Sequence, residues 1–223
     1  MNLTHYGFKT AMSAFFEMET ELASRLLPKH LHPLEVKHGS AIFAVTAFDF
    51  TDSMVGTYEE IVLAVIVPPL VQPGAAFPKS AFYPFLVGTS TEASRLHAIE
   101  RWHLPHHMAD VGVRFQEEED RLKVAVHEGK SPILDLEIGA HMWHEADDLY
   151  QSFMIDGDRQ FKVDIHMRGH FSEHEEETGS LILHPHAMTH ELDPDAIETI
   201  PFRELWMKSG KQTFEELETL ETV

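Results

Sequence analysis

The stretch "AIFAVTAFDFTDSMVGTYEEIVLAVIV", residues 41–67, decides the fold. Its first ten residues are rich in apolar and aromatic side chains, and the segment from Ile61 is wholly apolar. Gly56 lies between them as a turn residue, and Pro68-Pro69 closes the second run. Two strands joined this way pair antiparallel. Glu59 and Glu60 open the second strand. Successive strand residues face opposite sides, so one of the two acids points toward the interior face. A carboxyl group there loses water, its pKa rises, and it becomes an acid/base candidate. If the strand begins one residue later, both acids are exposed.

Outward from this pair, the chain reads as more strands and few helices. Phe15 to Met18 looks like a short strand, and "ETELASRLL" like a helix of about two turns stopped by Pro28. Thr89-Ser90-Thr91-Glu92 has the form of a capping box, with a helix running from it to about His103, ahead of Pro105. Val111, Val113 and Phe115 alternate with polar residues. So do Leu122, Val124 and Val126, and then Leu134, Leu136 and Ile138, with a turn at Glu117 to Asp120. Val163, Ile165, Met167 and Phe171 share one side of a later strand, and "SLILHPH" is another. "FEELETLETV" reads as an acidic amphipathic helix with Phe214, Leu217 and Leu220 on its apolar side. The expectation is a single α+β domain over residues 1–223, mainly antiparallel β. A sheet of this size curls or closes to protect its edges, giving a cone- or barrel-like sheet with a few outer helices.

Composition narrows the function. The formal charge of -20 repels phosphate backbones and anionic lipid, so neither nucleic acid nor membrane is an expected partner. The longest apolar run, "IVLAVIVPPLV", is broken by two prolines, and the N-terminus has no secretory pattern. With no cysteine there is no thiolate nucleophile or ligand, which fits a cytoplasmic protein. No serine-nucleophile elbow, phosphate loop or dinucleotide fingerprint is present.

Histidine is abundant, at 17 residues spread along the chain. "WHLPHH", Trp102 to His107, sits between a helix end and a strand start, where sites concentrate. His103 with His106 or His107 could share a divalent ion with a distant carboxylate, although no metal-binding spacing such as H-E-x-x-H occurs. The plainer reading is an exposed polar loop, and no cofactor is otherwise implied. "HMWH", His141 to His144, has spacing suited to one helix face. His184 and His186 face the same side if they lie on a strand, and His166 and His170 share the polar side of theirs. A polar surface accounts for all of these.

Several of these segments together resemble the acetoacetate decarboxylase family. Gly56-x-Tyr58-x-Glu60 before an apolar strand is similar to its G-x-Y-x-E segment, and "IERWHLPHHMADVGV" to its R-E-x-W-G-x-P-K-K segment. "ELASRLLPKHLHP", "GSLILHPH" and "IPFRELWMKSG" fall on further segments in order, so the likeness covers most of residues 15–210. The resemblance implies homo-oligomers and a small keto or carboxylate ligand. It places Glu60, His106 and His107 at catalytic positions and Tyr58, Glu100 and Trp102 at substrate-binding ones. It also brings a departure. The family's first lysine of P-K-K forms an imine with a β-keto acid, and the second lowers its pKa. Here those positions are His106 and His107, and imidazole forms no such imine. The family's arginine falls near Glu17 and its other acid near Val45. Two functions follow from this. One is a lyase acting on a small keto acid or related carbonyl compound through histidine or metal chemistry. The other is a non-catalytic small-ligand-binding protein on the same scaffold.

Overall fold

A computed structural model of the chain describes residues 3–220. In chain order the strands are β1 (Thr4–Glu19), β2 (Glu35–Lys37), β3 (Ser40–Asp52), β4 (Tyr58–Val67), β5 (Ser80–Thr89), β6 (Gly112–Glu117), β7 (Arg121–Glu128), β8 (Ser131–Gly139), β9 (Trp143–Asp156), β10 (Arg159–His174), β11 (Ser180–Leu183), β12 (Arg203–Phe214) and β13 (Glu218–Leu220). The two α-helices are α1 (Thr20–Leu26) and α2 (Glu92–Trp102).

Seven strands close on themselves in the order β1-β12-β10-β9-β5-β4-β3, with β3 returning to β1. Every neighbouring pair is antiparallel except β5 with β9, so the barrel is mixed. Closure leaves these seven strands without a free edge. β11, β8, β7 and β6 form a second, four-stranded sheet.

The 41–67 stretch explains how the two layers meet. β3 and β4 pair from Phe50↔Tyr58 to Phe43↔Val65, and Gly56 takes the positive φ of +89° that the turn between them needs. On β4, Ile61, Leu63, Val65 and Val67 join Val111, Val113, Leu122, Val124 and Leu134 in one core. That core lies between the barrel wall and the smaller sheet. Glu60 and Val62 face the other way, into the barrel. A strand buried on both faces needs apolar residues at nearly every position, which is why "IVLAVIV" barely alternates.

Four local expectations need correction. The C-terminal segment is not a helix. Phe214 ends β12 and packs on Tyr6 and Trp102 (ring centroids 5.3 and 4.8 Å), and β13 pairs with β10. Packing of the half-buried Phe214 and the Lys162–Glu218 ion pair (3.0 Å) override the helical spacing there. Residues 221–223 of that segment lie outside the described residues. "HMWH" leads into β9 as an extended strand, with Trp143 against Trp206 (5.3 Å). β1 runs for 16 residues, not four, because it pairs on both sides, with β3 and β12. The helix after β5 begins two residues later than the capping box suggests. Thr91 is its N-cap, accepting from the Ser94 amide, while Thr89 still belongs to the strand.

Candidate functional site

The barrel interior holds a cavity of about 100 Å³, and each of the seven barrel strands contributes to its wall. Glu60 projects into it from β4 because of its parity on the strand. Phe48 stands opposite on β3, and Thr46 and Ser13, whose hydroxyls are 2.7 Å apart, lie nearby on the same lining. Aromatic and aliphatic groups make up most of the remainder, including Phe15, Phe82, Met154 and Ile165. Among the described residues, no lysine or arginine lines the cavity and Glu60 is its one carboxylate. Burial alone pushes the Glu60 carboxyl up to about 8. No hydrogen bond from a described residue offsets that burial. At neutral pH the group is therefore a protonated acid, able to donate to an oxygen inside an apolar chamber.

One end of the chamber is closed by the end of α2 and the loop after it. Trp102 forms part of the wall, and its indole N–H donates to the Tyr6 hydroxyl at 2.7 Å. Tyr6 lies 2.6 Å from His97 Nε2 on the same helix. An indole only donates, so the Tyr6 O–H is left to donate to His97. Burial pushes Tyr6 up to about 12 and holds His97 below its usual range. His103 ends α2 in the left-handed region (φ 52°), its ring stacked on Phe161 at 4.5 Å and its Nδ1 3.4 Å from Asp156. Leu104, the next residue, reaches the chamber.

Beyond Leu104 the loop is strapped to β5. The Val87 amide donates to the Pro105 carbonyl (2.9 Å), and the His107 amide to the Val87 carbonyl (2.8 Å). His106 and His107 line a different, more open cavity with Phe85, Met108, Met188 and His190. Neither histidine borders the Glu60 chamber. The three positions that the resemblance groups as catalytic are therefore divided between two cavities. Both His106 ring nitrogens are buried without a hydrogen bond. Burial, then the nearby Arg95 and His107, hold this imidazole down to about 4. His107 Nε2 is 2.6 Å from Glu128 Oε2, which is 3.3 Å from His186 Nε2.

The other sequence candidates separate as well. Trp102 is on the chamber wall. Tyr58 is buried against Phe50 (4.8 Å) and does not line the chamber, and Glu100 is exposed on α2. Of the three metal candidates, only His107 has its ligand atom grouped with others. His107, Glu128 and His186 bring one ligand atom each within 4.8 Å of one another. Glu17 pairs with Lys37 (2.6 Å) and accepts from Ser40, while Val45 is fully buried in the outer core, so neither reaches the chamber. The lysines of the chain also stay outside it. Lys162 pairs with Asp164 and Glu218, and Lys79 with Asp148 and Glu173.

Sequence reasoning passed over Leu104, Ser13, Thr46, Gln212 and Glu128. It also passed over Glu204, a fully buried carboxylate that accepts from the amides of Gly139 (2.6 Å), Thr178 (2.6 Å) and Gly179 (2.9 Å). Parity on β1, β3 and β12 is the signal that could have found the barrel lining. Nothing local marks Glu128, which the topology carries to His107.

The sequence profile of the acetoacetate decarboxylase family matches residues 5–190. The fold is similar to that of an acetoacetate decarboxylase from Legionella pneumophila, with TM-score 0.70, 16% identity, and 98% of this chain and 87% of that one covered. It is also similar to an acetoacetate decarboxylase-like enzyme from Sphingomonas wittichii RW1 (TM-score 0.65, 12% identity, 98% and 92% covered). A third likeness is to the enduracididine biosynthesis enzyme MppR complexed with pyruvate (TM-score 0.65, 10% identity, 99% and 91% covered). No curated protein is similar enough in sequence to match. Among the described residues, no helix is long and apolar enough to cross a membrane.

Proposed function

The chain belongs to the acetoacetate decarboxylase family, and on that premise we propose that its barrel chamber binds a small neutral carbonyl compound, with Glu60 donating a hydrogen bond to the carbonyl oxygen. The observation that carries this is a lone carboxyl group, its pKa raised by burial, in an apolar chamber that no cation lines. A buried acid kept neutral by its surroundings is a good donor to a polarised oxygen. A carboxylate ligand would bring an unpaired charge into the same space, at a high desolvation cost. The chamber's size suits a molecule of a few heavy atoms, since ~150 Å³ of apolar space is enough for benzene. Imine chemistry is no part of the proposal, because it needs a primary amine and the lining supplies none.

The pKa of about 8 favours a second reading, acid/base turnover of the same ligand. The Glu60 carboxylate would take a proton from the carbon next to the carbonyl. The C–H electron pair would move into an enolate, and the proton would return to carbon or oxygen.

Thermal melts with small ketones, β-keto esters and the matching keto carboxylates, at pH 6.5 and 9.5, test the binding. Neutral carbonyl compounds should raise Tm at pH 6.5 and lose most of that effect at pH 9.5, where Glu60 is ionised. Glu60→Gln keeps an N–H donor and should bind equally at both pH values, whereas Glu60→Ala should not bind. Equal stabilisation by the carboxylates, or unchanged binding by Glu60→Ala, would overturn the proposal. Deuterium exchange at the ligand's α-carbon, followed by NMR and lost in Glu60→Gln, separates turnover from binding alone.

A further inference from the structure

A side-chain cluster at the edge of the second cavity carries a different chemistry. We propose that His107, Glu128 and His186 form a binding site for one divalent transition-metal ion, with zinc the ion best matched to two imidazoles and a carboxylate. The three residues come from the strapped loop, the end of β7 and the turn after β11. Their ligand atoms all lie within 4.8 Å of one another. Glu128 Oε2 sits between the two Nε2 atoms, at 2.6 and 3.3 Å, and the imidazole centroids are 5.5 Å apart at 62°. Of the three, His107 lines the open second cavity, from which a fourth, exchangeable ligand can reach the ion, the pattern of reactive sites more than of structural ones. The imidazole side chains are mostly covered (16% and 10% exposed) and the carboxylate is more open (38%), so the donors are held in place yet reachable. None of the three lines the Glu60 chamber, so this site stands apart from the carbonyl proposal.

One contact opposes the ion and sharpens the test. The Met188 amide donates to His186 Nδ1 at 3.2 Å, so in the metal-free ring the proton is on Nε2. Zinc at Nε2 moves that proton to Nδ1, where it faces the Met188 N–H. Metal uptake must therefore break this contact and shift the 186–188 turn. No net proton leaves a neutral His186, and the ion's charge is met partly by the Glu128 carboxylate.

The experiment is calorimetric titration of chelator-treated full-length protein with Zn²⁺ alone, checked by the visible spectrum with Co²⁺. Wild type should bind one tight equivalent above weak binding spread over the other histidines. His107→Ala, His186→Ala and Glu128→Gln should each weaken that equivalent by more than the ~10-fold lost with an outer-shell partner. His166→Ala, on the polar side of β10, should leave it unchanged. The Met188 amide resonance should shift on zinc addition to wild type and not to Glu128→Gln, a change at a partly exposed carboxylate that keeps the fold. Weak, many-site binding only, or a tight equivalent that survives all three variants, would overturn the assignment.

Discussion

Two carboxylates, Glu60 and Glu204, are taken out of water in this molecule, and they are treated in opposite ways. Glu204 on β12 is completely buried and accepts hydrogen bonds from three backbone amides and the Thr178 hydroxyl. Those bonds replace the water it lost, and they pin the segment around Thr178 and Gly179 against the end of β8. Glu60 on β4 receives no hydrogen bond from a described residue and faces empty space. Burial by itself therefore does not mark a functional acid. A buried acid left without partners, in a chamber large enough for something else, is the one with capacity to spare.

The comparison breaks first at Glu204. Glu204→Ala strands several buried donors at once and should cost ~3–5 kcal/mol in urea denaturation at pH 7. A loss below about 1 kcal/mol would mean that the satisfied carboxylate is not the staple its geometry suggests.

Glu60 should show itself through pH. The unfolded chain releases this proton near the ordinary carboxylate value of 4.5, and the folded chain only near 8. Between those values the folded state holds the extra proton. Glu60 therefore lowers stability progressively from about pH 4.5 to 8, with no further loss above that. From pH 6 to 8 the difference amounts to about 2 kcal/mol. Glu60→Gln should remove that part of the slope and be relatively more stable at pH 8 than at pH 6. Parallel profiles for wild type and variant would put the acid in contact with water.

The smallest effect belongs to Glu17, a carboxylate of the ordinary surface kind, paired with Lys37. Lys37→Ala should change stability by no more than about 0.5 kcal/mol, and less in 1 M salt. It sets the baseline against which the other two carboxylates are read.

How much of this was legible in sequence depends on how local the cause is. The β3–β4 pair and the inward turn of Glu60 follow from apolar runs, Gly56 and strand parity, all short-range. β5 is hard to read from sequence, since Pro84 argues against a central strand. The ladder admits it beside an irregularity in register between Leu63 and Ala64. β1 is legible only over its aromatic end, Phe15 to Met18. Its first half, with Gly7, Thr10, Ala11 and Ser13, gains its strand character from two neighbours distant in sequence. "FEELETLETV" has helical spacing, but barrel packing of Phe214 decides its state. The loop at "WHLPHH" was recognisable as a site segment. That it sends Leu104 to one cavity and His106 and His107 to another depends on its hydrogen bonds to Val87, which no spacing encodes.

The barrel is also uneven in how firmly it is sewn shut. β9 and β10 are joined over 14 residue pairs, whereas β5 and β9 meet over three, Ser80 to Phe82 against Tyr150 to Ser152. In native-state hydrogen exchange the amides of this seam should lose protection before those of the β9–β10 ladder. Tyr150, Ser152 and Phe82 all border the Glu60 chamber. Transient parting of the three-pair seam would uncover the chamber wall while the rest of the barrel stayed folded.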